Sequence, residues 1–166
     1  MFVSYPKAQY LINKNKINKA IQKVLTSGHY ILGREVELFE KEFAKYIGVK
    51  HAIGVANGTD ALNIALVACG INKNDEVLTV SHTAVATASA IVMSKAIPRF
   101  VDIKENSFNI DPSKIEAKIT KKTKAIVVVH LYGNPSEIQK ILIIAKKYNL
   151  ILIEDCSQAH GAKIKN

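Results

Sequence analysis

Short apolar runs alternate with segments of helical spacing between residues 51 and 154, and no other feature of the chain constrains its fold as strongly. The apolar runs are residues 51–55, 76–80, 97–101, 125–130 and 150–154. Helical spacing fills the intervals 59–69, 83–95, 112–119 and 136–148. A continuous Val/Ile run such as residues 126–129 suits a strand buried on both faces. The pattern therefore predicts an α/β fold, with helices on both faces (α/β/α) of a mostly parallel sheet.

Two helices are predicted before the first strand. Residues 15–27 and 35–47 carry apolar side chains at helical spacing, and Gly28 and Gly48 follow them as helix stops. The predicted organisation is an N-terminal helical segment over residues 1–48 and part of a larger α/β domain over residues 49–166.

The net charge of +9 raises the question of a nucleic-acid partner. Only Arg34 and Arg99 are arginines, and the lysines are scattered, whereas nucleic-acid binders cluster their basic residues on one face. No apolar run approaches the roughly 18 residues that span a membrane. The N-terminus lacks the basic and apolar regions of a signal peptide. We expect a cytoplasmic protein that binds neither nucleic acid nor a membrane.

Ligands of parallel α/β sheets bind beyond the carboxyl ends of the strands, so the residues at those ends are the candidate site. Gly58 and Thr59 join a strand to a helix N-terminus, where free amides and the helix dipole favour an anion. An ordinary threonine-capped helix is the alternative. Asp155 ends an apolar strand and either caps the next turn or fixes a negative charge beside a heterocyclic nitrogen. The amide of Gln158 could reach the same ligand.

Histidines and cysteines offer little support for a metal. His82, His130 and His160 fall near the predicted ligand edge, but Cys156 and His160 make only one weak pair, and no metal site is expected. Cys69 falls on the apolar stripe of a predicted helix and is expected in the core.

Five stretches together cover nearly the whole chain: SGHYILGREVELFEKEFAKYIG (27–48), KHAIGVANGTDALNIAL (50–66), NDEVLTVSHTAVATASAI (74–91), TKAIVVVHLYGNPSEI (123–138) and EDCSQAHGA (154–162). In these stretches, and in their order, the chain resembles the DegT/DnrJ/EryC1/StrS sugar aminotransferases, which are fold-type-I enzymes dependent on pyridoxal 5'-phosphate (PLP).

The resemblance implies a role for each matching residue at the cofactor. Gly58, Thr59 and Asp60 match the turn that holds the PLP phosphate. Asp155 matches the partner of the pyridinium nitrogen, and Gln158 matches the residue that binds the phenolic oxygen of the ring.

Two further matches concern the ring face and the substrate. The aromatic residue that stacks on the ring in relatives is replaced here by Ala84, which cannot stack. His82 lies two residues earlier and faces the same way on an extended segment, so we hypothesise that His82 covers the ring. His29 and Tyr30 match a segment near the sugar site and are candidate substrate contacts.

The implied activity is transfer of an amino group, with glutamate as the donor, to a keto-sugar carried by a nucleotide diphosphate. Such reactions make amino sugars for cell-surface polysaccharides or glycosylated metabolites, and members of the family are typically homodimers. Their Schiff-base lysine lies in a Ser-Phe…Lys segment that this sequence does not reach, and Lys163 and Lys165 are too close to Asp155 to replace it. No catalytic residue is therefore expected within the chain, which should be inactive alone.

Two other interpretations stay open. A PLP-dependent sugar dehydratase of the same family has that lysine replaced, and the region that separates the two activities is not in this sequence. Alternatively, the chain is a remnant domain that binds a ligand or partner without catalysis.

Overall fold

The structure is a computed structural model that describes residues 5–164. The chain divides into two compact units, with the boundary between Gly54 and Val55. The predicted organisation, with a division after residue 48, stays a prediction. No helix within the described residues is long and apolar enough to cross a bilayer.

The first unit contains two helices, α1 (Pro6–Ser27) and α2 (Arg34–Ile47). Both end as predicted, at Gly28 and Gly48, which take left-handed φ angles of 70° and 83°. α1 begins well before the predicted residue 15. The reason is Pro6, whose fixed φ suits the first turn of a helix, where its missing N–H has no intrahelical partner to lose.

The second unit alternates strands and helices, as the sequence predicts. It also contains two short 3₁₀ turns, at Glu116–Lys118 and Leu131–Gly133. The elements in chain order are α3 (Gly58–Ala68), β1 (Glu76–Val80), α4 (Val85–Met93), β2 (Ile97–Val101), α5 (Pro112–Ile115), β3 (Thr123–Val129), α6 (Ile138–Lys147) and β4 (Ile151–Asp155).

The four strands form one sheet of order β2-β1-β3-β4, and each neighbouring pair is parallel. The register places Val129 opposite Asp155, so the carboxyl ends of β3 and β4 meet at one edge. Pro98 lies in the edge strand β2. The N–H that proline lacks would face the open side of the sheet, so the sheet loses no hydrogen bond.

Helices cover both faces of the sheet, which confirms the α/β/α prediction. On one face the core includes Leu66 and Ile91 from α3 and α4 against Val77 and Val127. On the other face Ile141 of α6 belongs to the core that contains Leu78 and Ile126. Strand residues on both faces are therefore buried, which explains the unbroken apolar runs in the sequence.

Two expectations were wrong. Residues 51–55 were predicted as a strand, but they form no regular element, because no described segment pairs with them and a strand needs a hydrogen-bonded neighbour. Within the first unit, the Gly54 amide instead donates to Oε1 of Glu40 at 2.7 Å. Cys69, expected in the core, is exposed because α3 ends at Ala68 and leaves Cys69 as its C-cap.

Candidate functional site

A cavity of about 270 Å³ lies at the carboxyl end of the sheet in the second unit. It brings together four of the predicted site residues from two distant stretches of sequence. Its lining includes Gly58, Thr59, Ala84, Asp155, Ser157 and Gln158.

The N-terminus of α3 forms one wall of this cavity. Asn57 caps the helix: its Oδ1 accepts from the Asp60 amide at 2.9 Å, and its Nδ2 donates to Oδ2 of Asp60 at 2.9 Å. Asp60 is therefore engaged by the cap through both its amide and its carboxylate. The amides of Gly58 and Thr59, at the first positions of the helix, have no intrahelical partners and remain to bind an anion.

Asp155, the last residue of β4, forms another part of the cavity wall. Its Oδ1 accepts from the Ser157 amide at 3.1 Å and from the Ser157 hydroxyl at 2.6 Å. Its Oδ2 accepts from Oγ1 of Thr87 at 3.4 Å, and Thr87 is 1% exposed. Donors on both oxygens fix the orientation of the carboxylate. Asp155 therefore caps the turn after β4, which is one of the two predicted alternatives, and it also lines the cavity. Its place beside a heterocyclic nitrogen stays a prediction.

Gln158 is oriented by the loop that follows β3. The Tyr132 amide donates to Oε1 of Gln158 at 2.7 Å, which leaves the Nε2 of Gln158 to donate elsewhere. The next residue, Gly133, has φ of 79°, and a Cβ there would lie 3.1 Å from the Gln158 carbonyl oxygen. Gly133 therefore lets the two loops approach each other closely.

His82 lies in an exposed aromatic cluster with Phe108 and Tyr132. The ring centroid of His82 is 5.5 Å from that of Phe108 and 6.3 Å from that of Tyr132, and the latter two rings are 6.3 Å apart in an edge-to-face arrangement. Among the described residues, Ala84 lines the cavity and His82 does not. The ring-covering role of His82 therefore stays a prediction.

Two members of the cluster have left-handed backbones. Phe108 has φ of 59° and Tyr132 has φ of 58°, which for non-glycine residues costs about 1 kcal/mol or more each. The side chain of Asn109, 4% exposed, holds both loops: its Nδ2 donates to the Asn134 carbonyl at 2.8 Å, and its Oδ1 accepts from the Leu131 amide at 3.2 Å. These buried hydrogen bonds offset the strain.

Sequence reasoning assigned no role to several residues that the structure places at the site. Asn57 carries a sequence signal, because an acidic residue follows it at the spacing of a capping motif. Thr87 and Phe108 carry none, since each reaches its partners only through the fold.

A second grouping, His130, Glu154 and Cys156, has its potential ligand atoms within 4.8 Å of one another. A histidine that binds metal through Nε2 normally donates its Nδ1 proton to an acceptor. Here Nδ1 accepts from the Ser136 amide at 2.9 Å, so the proton resides on Nε2 and is donated to Glu154 at 2.8 Å. Burial, followed by the nearby charges of Glu154 and Asp155, raises the pKa of the Cys156 thiol. The geometry favours a structural hydrogen bond over a metal site.

The candidate substrate residues lie in the first unit, after α1. The His29 amide donates to Oγ of Ser27 at 3.1 Å, and the Tyr30 hydroxyl donates to the Leu25 carbonyl at 3.2 Å. Both residues line a separate cavity of about 370 Å³ with Gly33 and other residues of that unit. Their contact with a substrate stays a prediction.

Comparison with known proteins identifies the relatives of the chain. A model of the DegT/DnrJ/EryC1/StrS aminotransferase family matches residues 12–166. The dTDP-3-amino-3,6-dideoxy-alpha-D-galactopyranose transaminase of Aneurinibacillus thermoaerophilus is 53% identical over 149 residues, which are 90% of this chain and 41% of that protein.

Solved structures share the fold. Streptomyces venezuelae DesV, in complex with a ketimine intermediate, matches with a TM-score of 0.92 and 42% identity over 93% of this chain and 42% of its own. GDP-4-keto-6-deoxymannose-3-dehydratase, with a trapped PLP-glutamate geminal diamine, matches with a TM-score of 0.83 and 33% identity over 90% of this chain and 40% of its own. The chain thus spans about two fifths of the length of these relatives.

Proposed function

Because this chain belongs to the DegT/DnrJ/EryC1/StrS aminotransferase family, we propose that its cavity holds PLP and that the protein transfers an amino group from glutamate to a keto-sugar carried by a nucleotide diphosphate. The observation that carries the proposal is that Asp155 and the N-terminus of α3 line the same cavity. Bound PLP supplies the electron sink for amino transfer, and the protein supplies its binding and orientation.

The phosphate of PLP fits the α3 wall. The Gly58 and Thr59 amides and the Thr59 hydroxyl are hydrogen-bond donors at the positive end of a helix dipole. A Cβ at Gly58 would approach Oγ of Ser157 to 3.5 Å, so the glycine keeps this end of the cavity wide. Asp60 acts here through the cap, which holds the first turn of α3 in place.

The pyridine nitrogen fits the β4 wall. The Asp155 carboxylate, fixed by Ser157 and Thr87, would place a negative charge beside the nitrogen. A nearby negative charge favours the protonated form of the ring. A protonated ring draws electrons more strongly than a neutral one, which is the condition that amino transfer needs.

The phenolic oxygen of the ring fits Gln158. Since the Tyr132 amide occupies Oε1 of Gln158, the side chain presents its Nε2 donor to the cavity. Ala84 leaves one ring face without an aromatic cover, and His82 is proposed to cover it by a rotation of its side chain. His29 and Tyr30 are proposed as substrate contacts. The active protein is proposed to be a cytoplasmic homodimer.

An isotope experiment tests the proposal. Because the chain without the Schiff-base lysine is expected to be inactive alone, the test uses a protein in which this chain is continued by the Ser-Phe…Lys segment. That protein is incubated with PLP, ¹⁵N-glutamate and a dTDP-linked 3-keto or 4-keto hexose, and the sugar is examined by mass spectrometry. We expect ¹⁵N in the sugar and formation of 2-oxoglutarate, both abolished in Asp155→Asn. A sugar that has lost a hydroxyl and gained no nitrogen would contradict aminotransfer and assign the protein to the dehydratases. No change in the sugar would contradict both activities.

A further inference from the structure

We propose that Phe108 and Tyr132 form an aromatic platform that binds the hexose of the nucleotide-linked substrate beside the cavity. The inference rests on the proposed function and adds the surface that would select the sugar. Phe108 is 45% exposed and Tyr132 is 69% exposed, so both rings present free faces to solvent.

The backbone conformation shows that these rings are held in place at a cost. Both residues have positive φ, a region that bulky residues avoid, and strain of this kind concentrates at ligand sites. Both rings stay partly exposed to solvent, so their burial offsets little of this backbone strain. The buried Asn109 side chain ties the two loops together through the Asn134 carbonyl and the Leu131 amide. The platform is therefore preorganised by groups beneath it.

The chemistry of the platform matches a sugar ring. The face of an aromatic ring is negative, and it attracts the slightly positive C–H groups on the apolar face of a hexose. The exposed Tyr132 side chain also carries a hydroxyl, which can hydrogen-bond a sugar hydroxyl.

Position favours the hexose over the nucleotide. The Tyr132 backbone contacts Gln158, which lines the proposed cofactor cavity. The sugar carbon that receives nitrogen must reach the cofactor, whereas the base lies beyond two phosphates. The part of the substrate nearest Gln158 is therefore the hexose.

Saturation-transfer NMR with dTDP-glucose tests the inference. With the wild-type protein we expect the hexose protons to receive strong saturation. Phe108→Leu keeps apolar bulk but loses the ring face and should lower the hexose signal at least threefold, whereas Phe108→Tyr should retain it. Far-UV circular dichroism confirms that both variants fold.

Pyridoxamine 5'-phosphate titrated into the same samples separates the two proposals. If it does not bind the wild-type cavity, the proposed function fails. If it binds but Phe108→Leu leaves the hexose signal unchanged, only the platform is overturned. Strong saturation of thymine with weak saturation of the hexose would also overturn it, as would the absence of any dTDP-glucose signal.

Discussion

The Tyr132 amide donates a 2.7 Å hydrogen bond to Oε1 of Gln158, joining the loop after β3 to the loop after β4. This bond occupies Oε1 of Gln158 and leaves Nε2 available to donate elsewhere. It is a backbone contact, so it survives substitution of the Tyr132 side chain. The relationship predicts that Gln158 acts as a donor toward PLP.

Replacing Gln158 by Glu tests whether the side chain donates this hydrogen bond to PLP. The carboxylate turns the donor into an acceptor toward the phenolic oxygen, and we expect PLP affinity to fall about tenfold, or about 1.4 kcal/mol. Fluorescence titration with pyridoxamine 5'-phosphate, which keeps the phenolic oxygen but has no aldehyde to react with surface lysines, measures the change. Gln22→Glu, the same substitution at an exposed position of α1, serves as control and should leave affinity unchanged. Equal affinity in Gln158→Glu and the wild type would remove Gln158 from the site.

Asp155→Asn removes the charge proposed to face the pyridine nitrogen while keeping the shape that Ser157 and Thr87 hold. A hydrogen bond to a charged group contributes about 1.5–3 kcal/mol, so cofactor affinity should fall roughly ten- to a hundredfold. The pH at which the bound pyridine nitrogen loses its proton, followed by absorbance, should fall as well. Asp102→Asn, at an exposed position after β2, is the matched control. An unchanged nitrogen titration in Asp155→Asn would contradict the assignment.

Thr79 offers a stability test independent of the cofactor. It is 0% exposed in β1, and its hydroxyl has no hydrogen-bond partner among the described residues. Thr79→Val has similar shape and removes an unpaired polar atom, so the free energy of unfolding should rise by about 1 kcal/mol. Urea denaturation measures it.

Thr123→Val is the matched comparison in β3. The Thr123 hydroxyl accepts from the Thr120 amide at 2.9 Å and donates to Glu76 at 3.4 Å. Its loss should lower the free energy of unfolding by about 1–3 kcal/mol. Loss of stability of the same size in both variants would show that the Thr79 hydroxyl has a partner in solution.

We predict that Glu154 contributes to the loss of folding stability at acid pH. The hydrogen bond from His130 lowers the pKa of Glu154 below its ordinary value of 4.5. A carboxyl whose folded pKa is lowered stabilises the fold above its unfolded pKa, and that contribution is lost as the pH falls through the folded pKa. In Glu154→Gln, which keeps an acceptor for His130, unfolding midpoints should therefore depend less on pH below about 4.5. Exposed Glu105→Gln is the control, and parallel pH profiles for Glu154→Gln and the wild type would refute the contribution.

The alternation of strands and helices in the second unit could be predicted from the sequence because burial of a parallel sheet on both faces leaves unbroken apolar runs. β1 and β2 match their predicted limits. Residues 51–55 could not be predicted correctly from their apolar side chains, since an apolar run becomes a strand only when another strand pairs with it.

The sequence predicted that Gly58, Thr59, Asp155 and Gln158 lie together at the ligand edge of the sheet, and all four line one cavity. Their roles toward a cofactor stay predictions. The residues that fix those groups could not be predicted. Thr87 donates to Asp155 from far along the chain, and the left-handed backbone of Phe108 has no signature in its side chain. Such contacts depend on register and loop geometry, which composition and spacing do not encode.

The most direct test of the central claim is an amide NMR titration with pyridoxamine 5'-phosphate, which lacks the aldehyde that would label surface lysines. We predict amide shifts that saturate together at Gly58, Thr59, Ala84, Ser157 and Gln158. In Asp155→Asn, these shifts should require a far higher ligand concentration to saturate. Inorganic phosphate should reproduce only the shifts at Gly58 and Thr59. Shifts confined to exposed lysines, or no shifts at the cavity residues, would contradict the proposal that the cavity binds PLP.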